Sequence, residues 1–389
     1  MSDSKPSVDY IINRRYADFR HGTGVQIKLF AGQLEESPLH ICWDVEPPVS
    51  DTYQPVCNLD TSLLKKWPFR RGRGLVADTE KKLGLTWDIP SRVEKQLKKF
   101  STGKNGETRA YVIVASEAEA GIARRALKVL NARYVVNVMD YLHLGDTGLP
   151  EYPEFAALLK GAKKVFALTP PIQEVLSQIS GRRDIVVLGV AREPAHKMCR
   201  NFDCNLETLE IVMMGSLDYR RGLRELQKFC GNLDSVGIRY SLNYIGTPEM
   251  RAKLGDQLPV NYCGVRLGAD RDALLQSMHL AYLPGPDGDP ESDYLARYSF
   301  PSRSTDYFWH GLPVLGPLFE ESATARMVAD LQGRGVWFSP DSRQLAEAVK
   351  TLVDNPRFWA LASEAVYDFA QKNFSIANTA QAILAAFDE

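Results

Sequence analysis

Several short stretches of this chain place anion-binding and hydroxyl-binding residue types where a turn gives way to a helix. In "MMGSLDYRRGLRELQKF", Gly215 and Ser216 make a turn that can approach a ligand closely, and Arg220 and Arg221 stand directly before a helix start at Gly222. A helix N-terminus does not favour two cations, so an anion explains them better than helix stability. Guanidinium groups at such a place form a diphosphate site without a metal. In "FPSRSTDYFWHGLPVLGP", Ser302, Arg303, Ser304 and Thr305 offer N–H and hydroxyl donors at a second helix start. Asp306 falls in the first turn of that helix, where its carboxylate either grips the two hydroxyls of a ribose or caps the helix. In "RRYADFRHGTGVQIKLFAGQL", Gly22 and Gly24 permit close backbone approach to an anion or serve as a plain tight turn. Asp140 ends the run "YVVNVMD", with His143 nearby, and is either an acid/base or hydroxyl-binding group or a satisfied structural carboxylate.

Other patterns carry less. "GPDGDPESD", with Asp287, Asp289 and Asp293, has part of the spacing of a calcium loop, but its glycine and closing glutamate fall in the wrong places, so a solvated loop is expected. Cys42, Cys57, Cys199, Cys204, Cys230 and Cys263 form no CxxC and no His/Cys cluster, which predicts buried thiols in a reducing cytosol, with no bound metal and no cofactor. Lys and Arg number 47 against 48 Asp and Glu, for a net charge of -1, so no general field attracts nucleic acid or acidic membranes and any anion must be met locally. The basic run Lys65 to Arg73 reads as a solvated face, with contact to an anionic lipid-linked acceptor at a membrane surface as the other reading. No apolar run reaches the roughly 20 residues of a membrane span, and the opening "MSDSKPSVDY" lacks a signal-peptide pattern. A cytoplasmic protein is expected, peripheral contact with the inner membrane face being the further possibility.

These residues need elements to position them. Short β-branched runs alternate with helical patterns, the sequence form of parallel α/β construction. The first half has candidate strands at Val8–Asn13, Leu39–Trp43, Tyr111–Ala115, Tyr134–Val138, Val165–Leu168 and Ile185–Leu188, with helices at Glu117–Leu130 and Pro170–Ile179. Residues 50–108, broken by Pro55, Pro68 and Pro90, read as loops around short helices. After a linker-like tract at Ala191–Glu207 the pattern restarts, with strands at Glu210–Met214, Tyr240–Ile245, Asn261–Cys263, His279–Leu283, Pro313–Leu315 and Val336–Phe338. Helices are expected near Gly222–Cys230, Thr247–Lys253, Asp270–Met278, Asp306–His310 and Ser342–Val353, and the chain ends in two amphipathic helices, Pro356–Phe374 and Ile376–Phe387. At 389 residues the chain exceeds what one core usually serves, so two domains are expected.

The order and spacing of "IVMMGSLDYRRGL", "LNYIGTPEM", "VNYCGVRLGADRDALLQSMHLAYLPG" and "FPSRSTDYFWHGLPVLGP" resemble the donor-binding domain of GT-B fold glycosyltransferases, and within them the large retaining family called family four, over about residues 208–355. The first half resembles them in architecture and in "HGTG", "VVNVMDYLHL" and "GAKKVFALTPPIQEVL". The resemblance implies an α/β fold of two Rossmann-like parallel-sheet domains facing across a cleft. Residues 1–200 would bind the acceptor, 201–370 the nucleotide-sugar donor, and 371–389 would be a helix crossing back to the first domain. It also implies roles: Gly215, Ser216 and Arg220 or Arg221 at the donor diphosphate, Gly264 and Val265 beside the base, Ser304 and Thr305 at the phosphate, Asp306 at the ribose. The donor-site set is completed by Gly24 and Ser302, with Asp140 and Arg221 as the residues assigned to the chemistry. Where many family members carry a glutamate at the donor sugar, this chain has Tyr298, a departure that bears on sugar identity.

The implied reaction moves a sugar from a nucleotide-diphosphate sugar to a hydroxyl of a glycan, a lipid-linked acceptor or a small molecule, with retention and without a metal. Two other readings stand beside it: a non-catalytic nucleotide-sugar-binding subunit or sensor, and a GT-B fold nucleotide-sugar epimerase. A nicotinamide dehydrogenase is disfavoured because no GxGxxG follows the first strand.

Overall fold

The computed structural model describes residues 8–14, 22–43, 53, 55–59, 94, 97–100, 108–139, 152–192, 208–215, 223–254, 258, 260–286 and 290–389. Two compact units result: one comprises residues 1–168, 172–188 and 376–389, the other 169–171 and 189–375. The division after Leu188 precedes the tract that the sequence marks as a linker, and most of that tract lies outside the described residues.

In the first unit, β1 (Tyr10–Ile12), β2 (Leu39–Cys42), β3 (Val56–Asn58), β4 (Thr108–Val114), β5 (Ala132–Val138), β6 (Val165–Ala167) and β7 (Val186–Val187) form a sheet in the order β3-β2-β1-β4-β5-β6-β7. All its pairings are parallel. Such a sheet needs cover on both faces, which is why its strands read as unbroken apolar runs. α1 (Gly22–Ala31), α2 (Glu117–Leu130), α3 (Pro153–Gly161) and α4 (Pro170–Ser180) alternate with the strands. The Ser116 hydroxyl accepts from Glu119 N–H to start α2, and Asn131 ends it in the left-handed region at φ 50°. Tyr152 gives α3 no side-chain cap. The Glu117 carboxylate supplies one from the neighbouring helix, accepting Glu154 and Phe155 N–H at 2.8 and 2.9 Å. Burial raises the Glu117 pKa, and those two bonds oppose the shift. The strand β3 lies in the stretch read from sequence as loops and short helices. Pro55 breaks a helical period, but it is tolerated before an edge strand, where its carbonyl still accepts from His40 N–H at 3.0 Å.

The second unit repeats the plan with β8 (Leu209–Met214), β9 (Tyr240–Ile245), β10 (Val260–Gly264), β11 (Leu280–Tyr282), β12 (Val314–Gly316) and β13 (Val336–Phe338), in the order β10-β9-β8-β11-β12-β13. Its helices are α5 (Leu223–Ser235), α6 (Pro248–Leu254), α7 (Gly268–Gln276), α8 (Pro290–Tyr298), α9 (Arg303–Trp309), α10 (Ala323–Met327), α11 (Ser342–Asp354) and α12 (Pro356–Asn373). The stretch read as a solvated loop contributes Asp293 to α8, while Asp287 and Asp289 lie outside the described residues. On α11, Leu345, Val349 and Leu352 are fully buried against Phe229, Leu233 and Trp359. Each such side chain contributes about 1.5–3 kcal/mol. The exposed Lys350–Asp354 pair on the same helix, at 2.7 Å, is of a kind that contributes about 0.3–0.5 kcal/mol, so packing holds α11 in place. The last helix, α13 (Ile376–Ala385), belongs to the first unit, where Ala380, Ile383 and Phe387 share a core with Ile27, Phe30 and Tyr111. No helix among the described residues is long and apolar enough to cross a membrane.

The helix α9 is held on all sides. Tyr307 and Phe308 are fully buried, and Phe308 stacks on Phe374 with ring centroids 5.9 Å apart. Trp309 meets Tyr367 edge-on, and the Ser363 hydroxyl donates to the Gly311 carbonyl. Gly311 ends the helix at φ 57°, and a Cβ there would come within 2.9 Å of Ser363 Oγ. At the other side, Met214 N–H at the tip of β8 donates to the Tyr307 hydroxyl at 2.8 Å. Tyr307→Phe leaves that buried N–H without an acceptor and is expected to lower stability by about 1–3 kcal/mol in urea unfolding. A variant as stable as the wild type would show that the bond does not hold α9 to β8.

Candidate functional site

The strand order of the second unit reverses at β8, with β9 on one side and β11 on the other. In an open parallel sheet a ligand sits beyond the carboxyl ends of the strands at such a point. A cavity of about 450 Å³ lies there, lined by Met214, Gly215, Ile245, Gly246, Thr247, Val265, Arg266, Arg271, Ser302, Arg303 and Asp306. Its floor is built from strand tips. Gly215 N–H donates to the Ile245 carbonyl at 2.9 Å, and the Gly215 carbonyl accepts from the Tyr244 hydroxyl at 2.7 Å. Burial pushes the Tyr244 phenol up to about 12, so it remains a donor at neutral pH. Gly215 has φ 83°, and a Cβ there would stand 3.1 Å from the Arg303 guanidinium, which hydrogen-bonds the Met214 carbonyl. Glycine thus serves both the backbone conformation and the close approach of Arg303.

Asp306 is the carboxylate of the cavity, and two arginines from distant parts of the chain converge on it. Arg192 Nε lies 3.4 Å and Arg271 Nη1 3.5 Å from its Oδ1. Arg271 also donates from Nε and Nη2 to Asp272 Oδ1, at 3.2 and 3.0 Å. His310 closes the circuit: Nδ1 donates to the Asp306 main-chain carbonyl at 2.6 Å, and Nε2 stands 3.5 Å from Asp272 Oδ1. Burial holds the His310 pKa below 6.5, against the opposing pull of the Asp306 carbonyl and the Asp272 carboxylate. The ring is therefore neutral at pH 7, with its proton on Nδ1.

The structure brings Gly215, Val265, Ser302 and Asp306 together in the lining of one cavity. Gly264 ends β10 immediately before Val265, which is 58% exposed. Ser304 and Thr305 are placed differently. Both are fully buried and line no part of the cavity. The Thr305 hydroxyl donates to the Ser302 carbonyl at 2.6 Å. The N–H groups of Ser304 and Thr305 turn back to the Pro301 and Ser302 carbonyls, because the first turn of this seven-residue helix closes on itself. Tyr298 ends α8 with its ring 5.0 Å from that of Tyr294, its carbonyl accepting from the Thr169 hydroxyl at 3.1 Å, outside the cavity lining. Gly24 lies within α1 in the other unit, inside the helix rather than in a loop before it. Asp140, His143, Ser216, Arg220 and Arg221 lie outside the described residues, as does the Lys65 to Arg73 run. Among the described residues, no three His, Cys, Asp or Glu side chains gather as metal ligands.

Sequence reasoning did not single out Arg192, Arg266, Arg271, Asp272 or His310. Arg271 and Asp272 fall inside the expected helix Asp270–Met278, and Arg192 inside the linker-like tract. The chain offers no local pattern that would join either arginine to Asp306.

Because burial lowers the His310 pKa, the unfolded chain takes up a proton more readily than the folded one. The contribution of the neutral ring is present above about pH 6.5 and is lost as pH falls through the lower folded-state value. Thermal unfolding between pH 8 and 5 should show less acid destabilisation in His310→Asn, whose amide can replace the Nδ1 donor. Identical pH profiles in both proteins would contradict the neutral buried ring.

No protein-family model matches the chain, and neither does any curated protein. Solved structures do. The structure of HepE from Anabaena in complex with UDP is 13% identical, with a TM-score of 0.65, covering 98% of this chain and 100% of that one. The same protein was also solved in complex with UDP-glucose. Trehalose-6-phosphate synthase OtsA matches at 13% identity and a TM-score of 0.64, over 98% of this chain and 99% of that one. Sucrose-phosphate synthase from Thermosynechococcus elongatus matches at 13% identity and a TM-score of 0.65, over 97% and 98%. With a seven-stranded and a six-stranded parallel sheet, and likeness along nearly its whole length, this chain has the GT-B glycosyltransferase fold.

Proposed function

We propose that the chain is a glycosyltransferase that moves a sugar from a nucleotide-diphosphate sugar to an acceptor hydroxyl, with retention of configuration and without a metal. The observation that carries this reading is the cavity beyond β8 and β9, where Arg266, Arg271 and Arg303 stand around Asp306, the one lining carboxylate among the described residues. Arginine recognises phosphate oxygens through paired N–H donors, and the strand-tip glycine lets a diphosphate approach the main chain. The exposed Val265 side chain beside Gly264 offers an apolar rim to the flat face of a base. Asp306 takes the ribose, and Ser216 with Arg220 or Arg221, which lie outside the described residues, completes the diphosphate site. The UDP and UDP-glucose complexes of HepE support a donor of the same class.

In this reading the departing nucleoside diphosphate gathers negative charge as its bond to the anomeric carbon lengthens. Preoriented guanidinium groups stabilise that charge as it develops, which raises the rate without a metal. The anomeric carbon gains oxocarbenium character and is attacked by the acceptor hydroxyl, whose proton Asp140 or the leaving phosphate would receive. A second reading, a subunit that binds the nucleotide sugar without turnover, is favoured by one feature. Tyr298 replaces the acidic donor-sugar ligand of the resembled family, and its ring lies against Tyr294 outside the cavity lining.

A ligand bound at 100 times its Kd stabilises a fold by about 2.7 kcal/mol. One among UDP, GDP, ADP, TDP and CDP is therefore expected to raise the Tm of the wild type clearly, and Arg303→Ala should lose most of that shift. No shift with any of them at millimolar concentration would remove the donor site. Binding without sugar release, over a broad acceptor panel, would instead select the non-catalytic reading.

A further inference from the structure

The ring of contacts around Asp306 has a consequence for how a donor enters, on the reading just proposed. A ribose diol grips a carboxylate through both oxygens, yet Asp306 already has two guanidinium groups on Oδ1. A diol that takes both oxygens competes with them for Oδ1. Arg192 has less room to move: its main-chain N–H donates to the Phe374 carbonyl at 2.9 Å, its backbone bridges to Ser375, and its side chain is 15% exposed. Arg271 is the movable one. It lines the cavity, its side chain is 26% exposed, and its hold on Asp272 uses Nε and Nη2 while only Nη1 faces Asp306. Nη1 can therefore leave Asp306 while the guanidinium keeps Asp272.

We propose that Arg271 is a placeholder and donor-binding residue: it occupies Asp306 in the ligand-free chain and moves its Nη1 end to a phosphate oxygen when a nucleoside diphosphate binds. The exchange links the two halves of the donor. A diphosphate gives the displaced guanidinium a new anion, so the ribose gains Asp306 at little cost. A nucleoside without phosphates has to break the Arg271–Asp306 pair and leaves that end of the guanidinium without an anion. The site thus selects the intact nucleoside diphosphate over its nucleoside by more than the added phosphate contacts alone supply. Asp272 serves as the pivot, because its carboxylate accepts from Nε and Nη2 and so holds the other edge of the guanidinium in both positions.

The test is calorimetric titration of wild type, Arg271→Gln and Arg271→Lys with the best-binding nucleoside diphosphate and with its parent nucleoside, after unfolding curves confirm that each variant is folded. Arg271→Gln should bind the diphosphate at least tenfold more weakly and the nucleoside severalfold more tightly. Arg271→Lys should recover part of the diphosphate affinity, because an ammonium keeps the charge without the fork. Both ligands weakened by the same factor, or both unchanged, would overturn the exchange while leaving the donor site standing. A wild type that binds no nucleotide would overturn the donor reading and this inference together.

Discussion

The hydrogen bond between the main-chain N–H at the end of β8 and the hydroxyl of Tyr307 on α9 ties the site to the sheet in a buried environment, beside the bond of the Arg303 guanidinium to the Met214 carbonyl. Through it the strand tip that carries Gly215 and the short helix that carries Arg303 and Asp306 keep a fixed relation. The helix has seven residues, too few to persist alone, and its side chains from Ser304 to Trp309 are all buried. Its order is therefore tertiary in origin. The ring of Phe374 and the Ser363 hydroxyl hold it from one side, and β8 holds it from the other. A binding group mounted this way stays within the narrow geometric limits that phosphate recognition demands.

Charge sets the second constraint. A carboxylate as buried as Asp306, which is 7% exposed, requires cationic or hydrogen-bonding partners, and this chain supplies Arg192 and Arg271. Among the described residues, the surplus of arginine over carboxylate around the cavity then leaves a place for an anion, although the chain as a whole is close to neutral. His310 adds no charge, because burial keeps it neutral, and so it orders the cluster without competing for that anion.

Much of the fold was legible from local pattern. The apolar runs at Tyr240–Ile245 and Val336–Phe338 became β9 and β13 without a shift, and Glu117–Leu130 became α2 with its Ser116 and Asn131 caps. What failed had physical causes. Val56–Asn58 is too short for a period and follows a proline, while α3 takes its cap from Glu117 on another helix, a signal that no local reading contains. The site divides in the same way. Gly215 and Asp306 declared themselves by turn and helix position, but burial decided Ser304 and Thr305 against the cavity, and Arg192 and Arg271 reach Asp306 only through the fold.

The most direct measurement is a crystal structure of the chain soaked with the nucleoside diphosphate it binds. The diphosphate should lie against Gly215 and the arginines that line the cavity, the ribose on Asp306 and the base along Val265. A nucleotide found anywhere else on the chain, with Asp306 still held by both arginines, would contradict it.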